Sequence, residues 1–221
     1  MKLVTESYQA QAARWPSAGR HILAHFDAES IVVYQAYRSS IGRFAAEHGT
    51  FGDGFSLSRM SWIKPNFLWM MYRSGWGTKP DQEVVLAIRL RRAAFENILA
   101  QAVASRFEPA AHASPAEYRQ TLAQTAVRLQ WDPDHDPAGM PVERRAIQLG
   151  LRGEALRQYA REWIVDIEDI SAFVAEQRPH AAERPWTRLQ VPRENVYPIS
   201  DAALARRLGM QADEPSGAVS N

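Results

Sequence analysis

The chain has 221 residues, a formal net charge of +1 and no cysteine. A chain of this length is expected to fold as one domain or at most two small ones, with enough buried surface to need no disulfide or structural metal. The lack of cysteine excludes disulfide scaffolds, thiol catalysis and cysteine-based zinc sites. No apolar run approaches the roughly 18 residues of a membrane span, and the N-terminal segment lacks the apolar core of a signal peptide. We therefore expect a soluble, cytoplasmic protein that does not associate with membranes.

The basic residues are 23 arginines and three lysines, Lys2, Lys64 and Lys79. An arginine-rich chain is typical of a GC-rich genome, and a net charge near zero gives little support to a general nucleic-acid-binding surface. The composition therefore indicates no function, but it makes the two internal lysines unusual.

Helical and strand patterns follow one another along the first half of the chain. In order they predict a mixed lead-in segment over residues 1–28, a strand over 30–37, a helix over 38–48, a loop over 51–55, a helix that begins at Pro65 and ends at Gly75, a strand over 83–90 and a helix over 91–105.

The second half continues in the same way. It predicts a helix over 114–124 with a capping box, a strand over 125–131, a loop over 132–141, a strand over 145–152, a helix over 153–161, a strand over 163–169, a helix capped by Asp169 and extending to Gln177, an irregular segment over 179–192, an edge strand over 195–199, and a last helix capped by Ser200 and ended by Gly209.

No internal repeat or low-complexity linker divides the chain, and no glycine-rich phosphate fingerprint follows a strand. Because strands and helices interleave without a strict alternation, we predict a single α+β domain with a mixed or mostly antiparallel sheet and packed helices. The domain is expected to span residues 1–208, and residues 209–221 are expected to form a disordered tail.

The most unusual composition lies between Arg59 and Lys79, which contains three tryptophans and both internal lysines. A helix that begins at Pro65 places Asn66, Trp69 and Arg73 on one face, because they are three and four residues apart.

Lys64 directly precedes this predicted helix N-terminus, where free backbone N–H groups and the helix dipole favour negative charge. With the Arg73 guanidinium these groups would hold an anion, and Trp69 or Trp76 would form a stacking wall. The alternative is an aromatic core helix with polar residues at its rim.

Polar side chains also mark the end of the first predicted strand, with Tyr34, Gln35, Tyr37 and Arg38, and the start of the second, with Glu83. Rigid strands can aim such side chains into a cleft. Glu83 beside a basic residue would serve as a general base or bind a ribose hydroxyl. A structural ion pair is the alternative.

Asp132, Asp134, His135 and Asp136 form the tightest cluster of metal-ligand types. Alternating carboxylates would suit Mg²⁺, Ca²⁺ or Mn²⁺, but the spacing is not that of a calcium-binding EF-hand loop. We interpret the segment as a solvated turn and predict no metal site.

Five segments carry a family resemblance: YQAYRSSIGRFA, MSWIKPNFLWMMYRSGW, QEVVLAIRL, RLQWDPDHDP and RRAIQLGLRG. They resemble the domain-of-unknown-function family numbered 4291, known from bacteria and fungi, over about residues 5–200. The resemblance implies no established reaction, cofactor or partner. It implies that the family hallmark includes Trp62, Lys64, Pro65, Phe67, Trp69, Tyr72, Arg73 and Trp76. A hallmark of this kind favours the anion site over the core helix.

The leading hypothesis is an enzyme-like domain that binds a phosphate-bearing ligand such as a nucleotide, NAD or an RNA end. Its catalytic residue would be Glu83, and its ligand-binding residues would be Lys64, Arg73, Trp69, Trp76, Arg38 and Tyr34. The order of a polar strand end, a helical stretch and a glutamate before a later strand also resembles ADP-ribosyltransferases, for which NAD is the implied cofactor.

Three other hypotheses remain open at this point. They are a non-catalytic nucleic-acid-binding module, a metal-dependent hydrolase built on Asp132, Asp134 and Asp136, and a protein-interaction domain. The sequence does not decide whether the chain is an enzyme, and it predicts no oligomeric state.

Overall fold

The computed structural model describes residues 3–52, 54–107 and 114–210. The strands in these ranges are β1 Thr5–Ser7, β2 Gly19–Arg20, β3 Leu23–Ala24, β4 Ser30–Tyr37, β5 Ser61–Ile63, β6 Val84–Arg91, β7 Ala102–Ala104, β8 Val127–His135, β9 Pro141–Leu151, β10 Ile164–Asp169, β11 Gln190–Pro192 and β12 Asn195–Val196. The helices are α1 Tyr8–Ala12, α2 Ser39–His48, α3 Phe67–Ser74, α4 Arg92–Gln101, α5 Pro115–Gln124, α6 Gly153–Gln158, α7 Ser171–Ala182 and α8 Ala202–Arg207, with a π-helical turn over Tyr159–Trp163.

Two sheets form the centre of the fold. In the first, β6 lies between β4 and β10 and is antiparallel to both. In the second, β9 pairs antiparallel with β8 and β5 and parallel with β2, and β7 pairs parallel with β8. Two small antiparallel pairs, β1 with β11 and β3 with β12, complete the pairing. The predicted α+β fold with mixed and antiparallel sheets is therefore confirmed.

A backbone bridge at residues 61–64 joins the two sheets. Strand β5 pairs with the end of β9. The next residue, Lys64, accepts a hydrogen bond from Tyr34 N at 2.7 Å and donates one to Tyr34 O at 3.3 Å. Side chains from β4 and β5 therefore meet at this junction.

The apolar runs of β4 and β6 are explained by burial on both faces of the first sheet. Ile31 and Val33 belong to one core cluster, whereas Val32 and Tyr34 belong to the other, because successive side chains of a strand point in opposite directions. Burying one large apolar side chain contributes about 1.5–3 kcal/mol to folding. Burial of these side chains on both faces therefore holds β4 in the centre of the domain.

Strand β8 extends through His135, so the loop predicted to begin at residue 132 is shorter than expected. The pairing of β8 with β9 continues past Asp132 with an irregularity between Pro133 and His135. Proline is tolerated at such a bulge because its missing N–H leaves no gap in the ladder. The remaining turn closes between Asp136 N and Met140 O at 2.8 Å.

Other boundaries differ for local reasons. Helix α4 ends at Gln101 instead of residue 105, because the next three residues pair with β8 as β7. Helix α7 continues through Pro179 to Ala182 instead of ending at residue 177. The last helix is capped by Asp201 and not by Ser200, since the Asp201 carboxylate accepts from Ala203 N at 2.8 Å.

Segments predicted as irregular also contain structure. The lead-in segment includes β1, α1, β2 and β3, and the segment 179–192 ends in β11, which pairs with β1. Most of the predicted tail, residues 211–221, lies outside the described residues. Among the described helices, none combines the length and the hydropathy that crossing a lipid bilayer requires.

Candidate functional site

A cavity of about 220 Å³ opens where β4, β5 and α3 meet. Its described lining includes no aspartate or glutamate, although it contains three basic residues. The lining residues are Arg59, Lys64 and Arg73; the polar Gln35, Tyr37, Ser56, Ser61 and Gln82; and the apolar Ala36, Ile41, Phe55, Met60, Trp62 and Met70.

Lys64 is the buried cation of this cavity, with only 6% of the residue exposed. Within the described ranges its ammonium group has no hydrogen bond and no ion pair. Burial and, to a lesser extent, the nearby Arg73 charge lower the pKa of Lys64 to about 8, and Asp132 acts in the opposite direction. A lysine with a pKa near 8 still carries its charge in most molecules at pH 7. The cavity is therefore electropositive at neutral pH.

Arg73 and Arg59 add two exposed guanidinium groups to the same cavity. Neither side chain forms an ion pair with a described carboxylate. By contrast, the buried Arg144 elsewhere in the fold contacts the Asp134 carboxylate at 2.6 Å. The Arg73 charge acts on the Lys64 ammonium, and an anion between these two groups would relieve their repulsion.

The polar wall of the cavity is held by a hydrogen-bond network around Gln35. Its Nε2 donates to Ser61 Oγ at 2.9 Å and to Trp62 O at 3.0 Å, and its Oε1 accepts from Tyr159 OH at 2.6 Å. The Tyr37 hydroxyl lies 3.1 Å from Ser61 Oγ. Because its amide oxygen and nitrogen both form hydrogen bonds, the orientation of the Gln35 side chain is fixed.

The predicted role of the helix N-terminus is wrong. Helix α3 begins at Phe67 and not at Pro65, and Asn66 is its N-cap, with Oδ1 accepting from Trp69 N at 2.6 Å. Phe67 N donates to Glu194 Oε1 at 2.7 Å. Since these two side chains occupy backbone donors at this end of the helix, the anion site rests on side-chain cations. The other end of α3 is closed as expected by Gly75, with a φ of 58° that favours glycine.

The two predicted tryptophans lie outside this cavity lining. Trp69 is buried and stacks with His135, with ring centroids 5.2 Å apart. Trp76 donates its Nε1 to Pro137 O at 3.2 Å. The tryptophan that lines the cavity is Trp62.

Three other predicted residues are also absent from the lining. Tyr34 is fully buried in the core on the opposite face of β4. Arg38 is exposed at the start of α2. Glu83 is exposed, accepts a hydrogen bond from Asp81 N at 2.9 Å, and adjoins Gln82, which does line the cavity. Of the predicted site residues, the structure brings together Lys64 and Arg73.

Sequence reasoning did not assign Gln35, Tyr37 or Ser61 to the site. The alternation of β4 places Gln35 and Tyr37 on the face of Ile31 and Val33 and Tyr34 on the other face, but the sequence alone does not show which face borders the cavity. Ser61 carried no comparable pattern, since its position depends on pairing with β9.

The three aspartates of the metal-hydrolase hypothesis have separate partners. Asp132 accepts from Gln148 Nε2 at 2.6 Å, Asp134 pairs with Arg144, and Asp136 contacts Arg184 at 2.7 Å. In the part of the chain that the structure describes, no group of three His, Asp or Glu side chains is arranged to hold a metal ion.

The fold and the cavity define an α+β domain with a cationic cleft at the junction of two sheets. The chain belongs to the DUF4291 family, a domain of unknown function, whose family model matches residues 21–197. Every lining residue of the cavity falls within that match. No curated protein matches the sequence.

Proposed function

We propose that this domain binds a phosphate-bearing ligand and that the phosphate lies between Lys64, Arg73 and Arg59. The observation that carries the proposal is the buried Lys64 ammonium, which lines an open cavity and lacks a partner among the described residues. A buried charge without a partner is costly. A ligand anion would supply the missing partner.

Phosphate suits this cavity better than a monovalent anion for two reasons. Guanidinium groups bind phosphate oxygens through two parallel hydrogen bonds, and Arg59 and Arg73 bring two such groups to one place. A phosphate with up to two negative charges also compensates more of the three positive charges. The cavity volume of about 220 Å³ leaves room for part of the molecule that carries the phosphate.

The candidate ligands are a nucleotide, NAD and a phosphorylated RNA end. An ADP-ribosyltransferase-like reaction would use NAD and would require Glu83 as the catalytic acid or base. What supports this finer proposal is that Glu83 directly precedes β6 and follows the cavity-lining Gln82.

A thermal-shift screen tests the binding proposal. Inorganic phosphate, mononucleotides, NAD and a 5′-phosphorylated RNA oligomer are each added to the full chain and to Lys64→Met, which removes the charge and keeps most of the side-chain volume. A ligand at about 100 times its Kd stabilises the fold by about 2.7 kcal/mol.

The matched control is Arg43→Gln, which removes an exposed charge that does not line the cavity. We expect at least one phosphate compound to raise the Tm of the wild type and of Arg43→Gln but not that of Lys64→Met. Equal stabilisation of all three proteins, or no stabilisation by any phosphate compound, would contradict the proposal.

A further inference from the structure

The two hydroxyl groups of Tyr37 and Ser61 face the same cavity and share one hydrogen bond of 3.1 Å. The neighbouring residues determine how many of the two hydroxyl protons form hydrogen bonds within the protein. Ser61 Oγ also accepts from Gln35 Nε2 at 2.9 Å. Gln35 therefore offers Ser61 a donor and not an acceptor.

The orientation of the Gln35 amide is determined by its other two partners. Its Nε2 donates to the backbone carbonyl of Trp62 at 3.0 Å, and its Oε1 accepts from Tyr159 OH at 2.6 Å. The reversed amide would place its oxygen against the Trp62 carbonyl oxygen, and two acceptors cannot form a hydrogen bond. The observed orientation is therefore the one that satisfies both contacts.

The proton count then leaves one donor unused. Tyr37 and Ser61 carry one hydroxyl proton each, and their mutual hydrogen bond uses one of the two. If Tyr37 donates to Ser61, the Ser61 proton is free; if Ser61 donates to Tyr37, the Tyr37 proton is free. In either arrangement, the described residues provide no acceptor for the second proton, so that proton is available to a molecule in the cavity.

From this geometry we infer that the Tyr37–Ser61 pair donates one hydrogen bond to an oxygen of the bound phosphate. This inference rests on the proposed function and deepens it, because it adds a neutral donor to the three cations. Arg59 lies close enough to Tyr37 for its charge to act on the hydroxyl, so the donor and the cations share one region of the cavity. The pair is thus a specificity-determining element for a ligand that presents an acceptor oxygen there.

The shared proton gives the pair a distinctive response to mutation. Tyr37→Phe removes one hydroxyl, and the Ser61 proton then becomes the free donor. Ser61→Ala removes the other, and the Tyr37 proton becomes free, while Gln35 keeps the Trp62 carbonyl as a partner. Each single variant therefore retains one donor for the ligand, and only the double variant has none.

The test is a double-mutant cycle read by calorimetric titration with inorganic phosphate at constant ionic strength. We expect each single variant to bind within about twofold of the wild type, and the double variant to bind about fivefold or more weakly, which is the usual effect of losing one hydrogen bond. If the double variant loses its native near-ultraviolet circular dichroism, Ser61→Cys replaces Ser61→Ala in the cycle, because it keeps the volume and only a weak donor.

Two kinds of failure are distinguishable. The inference is wrong, and the phosphate site stands, if the wild type binds phosphate and the double variant binds it equally well. The same holds if the loss of affinity in the double variant is only the product of the losses in the two single variants. If the wild type does not bind phosphate at all, the proposed function fails and this inference fails with it.

Discussion

The Glu194 carboxylate accepts a hydrogen bond of 2.7 Å from the backbone N–H of Phe67, although the two residues are 127 positions apart in the chain. Glu194 is only 1% exposed, and its backbone N–H donates to Gln11 Oε1 at 2.6 Å. The contact ties the segment after β11 to the start of α3. It thereby fixes the helix that carries Arg73 relative to Lys64.

Removing the Glu194 acceptor is expected to destabilise the fold. Glu194→Ala leaves the Phe67 N–H buried without a partner, which costs about 1–3 kcal/mol. Glu194→Gln keeps an acceptor oxygen without the charge and should retain most of the stability. Urea unfolding of the two variants and the wild type measures the difference; equal stability of the alanine and glutamine variants would show that the contact contributes little.

The same carboxyl predicts a pH dependence. Burial raises the pKa of Glu194 well above its usual value. The folded state therefore binds this proton more tightly than the unfolded state does. The contribution of Glu194 to the free energy of unfolding is greatest at low pH and is lost as the pH rises through the folded-state pKa. The difference in unfolding free energy between Glu194→Gln and the wild type should grow over that range. A difference that stays constant from pH 4 upward would contradict the predicted shift.

Lys64 predicts the opposite trend at alkaline pH. Its pKa is lowered from 10.5 to about 8 in the folded state, so the unfolded chain binds the proton more tightly between these values. Stability should therefore rise with pH through this window by up to about 3 kcal/mol in the wild type and not in Lys64→Met. Subtracting the two unfolding curves removes the shared titration of tyrosines. A difference that does not change between pH 8 and pH 10.5 would contradict the burial of an unpaired ammonium.

Gly150 on β9 makes room for two side chains of the cavity wall. A Cβ at this position would lie 2.6 Å from Met60 Sδ and 3.0 Å from the Trp62 ring. The flexible end of Met60 can move away, but the rigid indole of Trp62 cannot change its shape. Gly150→Ala should therefore displace Trp62 and lower the free energy of unfolding by about 1–3 kcal/mol. We also expect weaker phosphate binding, measured by titration. Wild-type affinity in this variant would show that the position of Trp62 does not matter to the ligand.

A variant of Glu83 tests the proposed phosphate binding and the proposed catalysis separately. Because its exposed carboxylate does not line the cavity, Glu83→Gln should leave the affinity for inorganic phosphate unchanged. If the domain is an ADP-ribosyltransferase-like enzyme, the same variant should release no nicotinamide from NAD where the wild type does. Release at the wild-type rate would remove Glu83 from the mechanism.

The predictable parts of the site are those that depend on residues close together in the chain. Lys64 precedes α3 and Arg73 lies in its last turn. The aromatic segment between them predicts that helix. The strand β4 was also predictable, since β-branched and aromatic residues follow one another from Ile31 to Tyr34. Local pattern was sufficient to predict both elements, although it placed the start of the helix two residues too early.

The unpredictable parts depend on contacts between distant segments. No local pattern around Phe67 predicts that Glu194 accepts a hydrogen bond from its backbone N–H. Likewise, no local pattern around Asp132 predicts that this turn-like segment pairs with β9 as a strand. The assignment of Tyr34 in place of Gln35 has a different cause. Both lie at the end of β4, and the sequence alone did not show which face of the strand would border the cavity.

Diffraction from crystals soaked with tungstate, a phosphate analogue with a strongly scattering metal centre, tests the central claim most directly. We predict anomalous density in the cavity, with tungstate oxygens within hydrogen-bond distance of Lys64 Nζ and the Arg73 guanidinium. An empty or water-filled cavity, with Lys64 paired to a carboxylate of the protein, would contradict the account.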